Sequence, residues 1–403
     1  MKPNGPIPAA FAADANGGLM IGGMSAETLA AQGTPLFVYD AARIGAQVER
    51  FRAAIPSVAL HYAVKANPYG PLLETMAPLV DGFDVASGGE IERVAALGLP
   101  ISFAGPGKRD AELEEAIRGG ITINLESEAE AERALSLGER LGVTPKLAVR
   151  VNPPFGLKGA GMKMGGLASP FGVDHDRVGA VVRRILDAGA EWRGLHIYAG
   201  SQSLSAEAII ETHRATIALA ATIAEQAGAS PPEINLGGGF GIPYFAKEEP
   251  LDLEIIAAAL IKSLADRDNI LGETKFAIEL GRWLVGEAGV YLTRIVDHKA
   301  SRGKTFLVTD GGLHHMLAAS GNFGQFLRRN YPVALASRFN AEPEEEVTVV
   351  GCLCTPLDLL ADEVMLPRAE VGGLVAVFCA GAYGLSASPT AFLSQPAARE
   401  ILV

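Results

Sequence analysis

The sequence is poor in cysteine, with three among 403 residues: Cys352, Cys354 and Cys379. Too few and too late in the chain for a disulfide framework, they point to a reducing compartment, and the cytoplasm is the expected location. Positive charge is scarce as well: 34 Lys and Arg stand against 46 Asp and Glu, a net charge of −12. With no local basic patch, that balance disfavours nucleic acid and anionic membrane surfaces as partners. No uncharged apolar run reaches membrane-spanning length, and Pro, Gly and Asp interrupt the first residues before an export-signal core forms, so neither export nor anchoring is expected. Low-complexity tails and fixed-period repeats are missing too. What remains, 49% hydrophobic and 20% charged, is the make-up of a globular protein with a sizeable core.

Short β-rich runs alternate with longer Ala/Leu/Glu/Arg-rich stretches, the rhythm of βα units around a parallel sheet. Strands are expected at 58–64, 82–86, 100–104, 121–125, 146–152, 193–198, 233–237 and 275–280. Helical patterns lie between them at 89–97, 110–118, 127–141, 174–189, 205–228 and 251–267, many opened by Ser or acids and closed by Gly. Eight consecutive βα-like units match a (β/α)₈ barrel better than an open doubly wound sheet. From about 286 the texture becomes strand-like (VYLTRIVDHKA, KTFLVTD, EVTVVGCLC, GGLVAVFCAG) with few helical stretches. The expected fold is therefore α/β: a barrel over 39–285 plus a second, β-rich domain from 1–38 and 286–403. A strand at LFVYD (36–40) either pairs with that domain or caps the barrel.

In such a barrel, chemistry sits at the C-terminal ends of the strands, and four of these ends are unusually polar. The first reads Lys65-Ala66-Asn67-Pro68, the sixth Tyr198-Ala199-Gly200-Ser201, the seventh Gly237-Gly238-Gly239-Phe240 and the eighth Glu279-Leu280-Gly281-Arg282. A partly desolvated strand-end amine is a nucleophile toward an aldehyde. Successive glycines let backbone N–H groups close on an anion without a basic residue. A carboxylate against a ring nitrogen keeps it protonated and makes the ring an electron sink. Singly, each has a plainer reading: Lys65 as a solvated lysine before Pro68, the glycines as a tight βα turn, Glu279 as a solvated acid. Together, in barrel order, they are the parts that a phosphorylated pyridine aldehyde needs.

The sequence resembles the fold-type III pyridoxal 5′-phosphate (PLP) decarboxylases, the ornithine, diaminopimelate and arginine decarboxylase group that shares its barrel with alanine racemase. The motifs that carry the resemblance are H-Y-A-V-K-A-N-P (61–68), F-D-V-A-S-G-G-E (83–90), G-G-G-F (237–240), E-L-G-R (279–282) and G-A-Y-G (381–384). It implies PLP-dependent decarboxylation of an amino acid or amino-acid derivative, with Lys65 as the cofactor lysine. It implies cofactor contacts from Asp84, His196, Tyr198, Ser201, Gly237, Gly238, Gly239, Glu279, Gly281, Arg282 and Tyr383. Within that set Gly238, Gly239, Ser201 and Tyr383 would meet the phosphate and Glu279 the ring nitrogen, with Arg282 near phosphate or substrate. The motif G-C-L-C-T-P-L-D (351–358) implies that Cys354 protonates the carbanion once carbon dioxide has left. By the same resemblance Cys354 faces Lys65 of the partner subunit in a homodimer with shared active sites, and Thr355 and Asp358 join Arg282 at the substrate. The ordinary reading of a cysteine, a small buried hydrophobe, suits Cys352 and Cys379 better.

Two departures bear on substrate. Where this group stacks a histidine on the cofactor ring, just before a Gly-Ser pair, the chain has Tyr198, with His196 two residues earlier. A phenol stacks but carries no positive charge. The residue after the catalytic cysteine, acidic in enzymes of diamino acids, is Thr355. A desolvated ammonium left unpaired there is costly, which disfavours free diaminopimelate, ornithine and lysine. With K-G-A-G-M-K-M-G-G (158–166) and D-G-G-L-H-H-M-L-A-A-S-G-N-F-G-Q (310–325), these departures resemble a divergent subgroup associated with exosortase-type exopolysaccharide systems. Related divergent members act on aminoacyl groups carried by an acyl carrier protein, such as glutamyl thioesters, so a carrier-bound substrate is expected beside a free amino acid. The glycine-rich stretch 156–166, with Lys158 and Lys163, reads either as a lid or docking strip for an acidic carrier or as a solvated loop.

Three rivals remain. An amino-acid racemase shares the barrel and Lys65 but sets an arginine at the ring nitrogen and a tyrosine where Cys354 stands. A PLP carrier lacks the second domain, and a regulatory mimic loses the lysine or the cysteine. A metal hydrolase needs a ligand set that His61, His196 and the adjacent His314 and His315 do not form, so no metal is expected.

Overall fold

The computed structural model describes residues 1–159, 161–323, 325 and 327–403. The chain divides into two compact units: Gln47–Gly241 with Pro250–Gly281, and Met1–Ala46 with Ile242–Glu249 and Arg282–Val403.

The first unit is built on eight parallel strands. Ala59–Ala63, Gly82–Val85, Ile101–Phe103, Thr122–Leu125, Lys146–Asn152, Glu191–Ile197, Glu233–Asn235 and Lys275–Leu280 pair side by side in chain order. The eighth pairs back onto the first, with Glu279 beside His61, and the sheet closes into a barrel. Closure brings all the strand C-termini to one rim. Three crossover helices start on the same device, a serine whose hydroxyl accepts a backbone N–H three residues on: Ser87 from Glu90, Ser127 from Glu130 and Ser205 from Ala208. Each thereby stops its chain segment at the rim and turns it down the outside.

The helical rhythm differs from eight complete βα units. Seven α-helices lie between the eight strands among the described residues, and another, Ala41–Ala54, precedes the first strand. Its Arg50 pairs with Glu254 of Leu253–Ala265 at 3.0 Å, so the helix ahead of the barrel stands beside the last crossover helix. Gly70–Met76 is helical and accommodates Pro71, since a proline in the first helical turn has no intrahelical N–H bond to lose.

The second unit is organised by the long strand Gly289–Ser301. One half pairs antiparallel with Leu36–Tyr39 and Leu374–Val377, the other with Lys304–Thr309. Lys304–Thr309 runs parallel to Glu345–Val350, which in turn pairs with Leu359–Leu366. Arg399–Leu402 adds a parallel partner to Leu36–Tyr39, so the LFVYD strand belongs to this sheet. Leu36, Val38, Val290, Leu292, Ala376 and Phe378 are buried together in its core. Residues 39–46, 242–249 and 282–285, expected with the barrel, lie in this unit instead. Tyr39 pairs with Gly289, Asp40 donates its N–H to Ala288, and Tyr244 packs on Tyr331 with ring centroids 4.6 Å apart, which ties those segments to it. Among the described residues no helix is long and apolar enough to cross a membrane.

Candidate active site

Directly after the first barrel strand the chain makes a tight turn, Val64–Ala66, that carries Lys65. Its Nζ lies 3.7 Å from Asp84 Oδ2 and 3.8 Å from Glu279 Oε1. The ring centroid of Tyr198 is 5.3 Å from the same nitrogen. Strands one, two, six and eight thus deliver to one point four residues that are far apart in sequence. The acids are 1% and 2% exposed, the lysine 39%. Lys65 is thus a partly exposed amine that faces two buried carboxylates.

Glu279 is held from behind. Its Oε2 is 2.9 Å from His196 Nε2 and accepts a hydrogen bond from Asn235 Nδ2 at 3.2 Å. Asn235 Oδ1 accepts the Gly237 N–H at 2.8 Å, which fixes the orientation of the amide. Burial pushes the Glu279 carboxyl up, but His196, Lys65 and Arg150 around it outweigh burial and hold its pKa below the ordinary range. Asp84 goes the other way: burial first, then the neighbouring Glu279 charge, push it up to about 7 against the pull of Lys65, His196 and Arg150. Its Oδ1 is buried without a hydrogen-bond partner. Arg150 is committed elsewhere, pairing with Glu126 at 2.9 Å.

The glycine loop after strand seven presents two unclaimed donors, because the N–H groups of Gly238 and Gly239 have no acceptor among the described residues. At Gly239 φ is +87°, and a Cβ would lie 2.5 Å from the Gly200 carbonyl oxygen, so only glycine keeps this backbone pressed against the strand-six loop. Ser201, on that loop, pairs with Met162 in a short antiparallel contact. Described parts of the 156–166 stretch are therefore hydrogen-bonded to the rim, while Lys158, Gly159, Gly161 and Met162 stay exposed. Leu157 and Met164 both donate backbone N–H groups to the Ala199 carbonyl, at 3.1 and 3.2 Å, and Lys158 pairs with Glu211 at 2.8 Å. The Lys163 side chain of this stretch and Gly324 of the 310–325 motif lie outside the described residues. Gly281 packs on the lysine turn, where a Cβ would meet that of Ala66 at 2.6 Å.

The remaining expected residues belong to the second unit. Arg282 donates from Nη1 to the Tyr244 hydroxyl at 2.8 Å, and its guanidinium carbon stands 4.5 Å from the Tyr383 ring centroid. Tyr383 itself has φ +53°, a conformation that bulky residues adopt at a cost of roughly 1–3 kcal/mol and that concentrates at functional sites. Cys354 is exposed. Thr355 Oγ1 accepts the Leu357 N–H at 3.3 Å. Asp358, expected at the substrate, is 2% exposed and has both oxygens occupied, Oδ1 by the Leu313 N–H at 2.6 Å and Oδ2 by the Leu353 N–H at 2.8 Å. It staples the cysteine loop and presents no free acid. Asn235, Arg150 and Tyr244 escaped the sequence reading. A signal existed for the first two, since an amide or a guanidinium inside the apolar strands E-I-N and K-L-A-V-R-V-N has no reason to be there unless something polar faces it.

Residues 41–286 match the family model of the pyridoxal-dependent decarboxylases, pyridoxal binding domain. The chain belongs to this family. The decarboxylase is 37% identical to an L-glutamyl-[BtrI acyl-carrier protein] decarboxylase of Niallia circulans, over 92% of this chain and 88% of the relative. It is 33% identical to a diaminopimelate decarboxylase of Methanothermobacter thermautotrophicus, over 96% and 91% of the two chains. Among solved structures, a diaminopimelate decarboxylase from M. jannaschii superposes with a TM-score of 0.86 at 26% identity, covering 97% of this decarboxylase and 92% of that chain.

Proposed function

We propose that this decarboxylase removes carbon dioxide from an aminoacyl group without a distal ammonium, a glutamyl thioester on an acyl carrier protein being the best-supported substrate. One observation carries the reading. The loop after Cys354 offers the neutral Thr355, and its acid, Asp358, is turned inward onto backbone N–H groups, so no carboxylate of the loop stands free for a distal ammonium. The relative that acts on a glutamyl carrier protein supports the same choice. The diaminopimelate relatives support a free diamino acid instead, against which the neutral loop weighs.

The barrel residues fit PLP: an amine, two unclaimed N–H donors for an anion, and a carboxylate with one oxygen turned toward the amine. Lys65 would hold the group covalently, Gly238 and Gly239 with Ser201 its phosphate, Glu279 its ring nitrogen and Tyr198 its ring face. Bound there, it supplies an electron sink for the carbanion left by carbon dioxide. Glu279 contributes a fixed negative charge, and Asp84, its pKa pushed up to about 7, lies within reach of the Lys65 amine. Arg282 and Tyr383 are kept as phosphate or substrate contacts. By the family resemblance, proton delivery is assigned to Cys354 from a second copy of the chain, in a homodimer. A reducing, cytoplasmic setting suits that free thiol.

The test incubates PLP-loaded protein with free and carrier-bound amino acids and measures carbon dioxide. Release from a glutamyl thioester on a carrier protein is expected, and borohydride should fix the cofactor on Lys65. Fastest release from free diaminopimelate would overturn the substrate, and fixation on another lysine would overturn the site.

A further inference from the structure

Three adjacent barrel strands set Arg150, His196 and Asn235 in one register row. Residues in register point to the same face of a sheet, and His196 and Asn235 both reach Glu279. All four residues are buried, His196 to 2% exposure and Glu279 to 3%. A polar row at that depth is retained only if each member is satisfied or meets something that pairs with it.

The two oxygens of Glu279 are not equivalent. Oε2 takes both protein donors, while Oε1 faces Lys65 at 3.8 Å. The Asn235 donor is fixed by the fold. Asn235 cannot flip its amide without losing the Gly237 N–H. His196 has no partner at Nδ1, so its side chain bonds through Nε2 to Glu279, and the imidazole donates that bond when its proton sits on Nε2. Remove the donors, and burial pushes the carboxylate toward its protonated form, with Lys65 and Arg150 left to oppose it. A protonated carboxyl no longer holds a ring nitrogen protonated.

We infer that His196 and Asn235 are positioning residues that grip Oε2 of Glu279, keeping the carboxylate charged and its other oxygen directed at the cofactor ring. His196, expected to touch the cofactor, acts instead through Glu279. The inference rests on the reading that Glu279 faces the ring nitrogen, and deepens it.

The experiment uses full-length, PLP-loaded protein with His196→Phe, His196→Gln, Asn235→Leu and Glu279→Gln. The readouts are the acid limb of the kcat profile, the split between kcat and KM, and the absorbance of bound PLP titrated with pH in the absence of substrate. His196→Phe should lower kcat roughly ten- to a hundredfold, the scale of one hydrogen bond to a charged group, with KM little changed. Its acid limb and its absorbance transition should both move to higher pH. His196→Gln, which places an amide donor near the position of Nε2, should recover most of the loss, and Asn235→Leu should shift the same limb in the same direction. Should His196→Phe not fold, the Asn235→Leu and His196→Gln pair carries the test alone. Wild-type limbs and spectra in the folded variants, beside a crippled Glu279→Gln, would overturn the clamp and leave the Glu279 reading standing. A fully active Glu279→Gln would overturn the Glu279 reading itself.

Discussion

Asp84 and Glu279 approach the same atom, Lys65 Nζ, at 3.7 and 3.8 Å, yet their pKa values are driven in opposite directions. Two carboxylates in one desolvated site do not both stay ionised, and the one with more donors keeps the charge. Glu279 has His196 and Asn235 on Oε2, whereas Asp84 has a buried Oδ1 with no partner. One acid is held charged, and the other is pushed toward its protonated form.

Glu279→Gln should retain bound PLP and lose turnover, by about a hundredfold or more, the scale of deleting one preorganised charge from a dry site. Steady-state carbon dioxide release at saturating cofactor measures it. Undiminished turnover would favour the racemase-like arrangement, in which the ring is a poorer electron sink.

The stability of the cofactor-free protein should depend on Asp84. Its folded pKa, about 7, stands above the ordinary 3.8, so the folded state holds a proton that the unfolded chain has released. That contribution is complete below about pH 4 and is lost as pH rises to about 7, on the order of 4 kcal/mol at most. Asp84→Asn should flatten that slope and melt higher than the unaltered protein at pH 8. Glu279, held low, acts with the opposite sign and only below its ordinary 4.5, outside this window. Thermal melts at several pH values decide the matter, and parallel curves for the two proteins would count against a protonated Asp84.

Gly239→Ala puts a methyl 2.5 Å from the Gly200 carbonyl at a φ of +87°. A strain of roughly 1–3 kcal/mol follows, and it should displace the two unclaimed N–H groups. Affinity for PLP should fall while affinity for unphosphorylated pyridoxal stays nearly constant. Equal losses for both compounds would mean that the loop is structural and not a phosphate cradle.

Thr355 sets the substrate prediction. Pairing a desolvated ammonium with a carboxylate is worth on the order of 2–5 kcal/mol, tens to thousands of fold. Thr355→Glu should therefore improve ornithine, lysine or diaminopimelate relative to a neutral or acidic substrate, read as the ratio of kcat/KM values. If the unaltered enzyme is already fastest on one of these and the glutamate brings no gain, the specificity argument fails while the decarboxylase assignment survives.

The sequence by itself determined the periodic elements and the chemistry they carry. Alternating βα texture placed the barrel strands near 58–64 through 275–280, serine caps marked helix starts, and the motif around Lys65 pointed to the cofactor class. All of these are local: a hydroxyl caps the N–H three residues on, and a strand shows its period within a few residues. What only the tertiary structure decided depends on closure. His196 and Glu279 are 83 residues apart and meet at 2.9 Å because the barrel rolls strands six, seven and eight into register. The opposite fates of Asp84 and Glu279 depend on which oxygen each leaves unpaired in a desolvated interior, and neither burial nor donor count is written in the motifs F-D-V-A-S-G-G-E and E-L-G-R. The same holds for Asp358, an acid in the right motif whose two oxygens backbone N–H groups had already claimed. Residue type sets what a side chain can do, and the packed neighbours, through desolvation and hydrogen bonding, set which of those things it does.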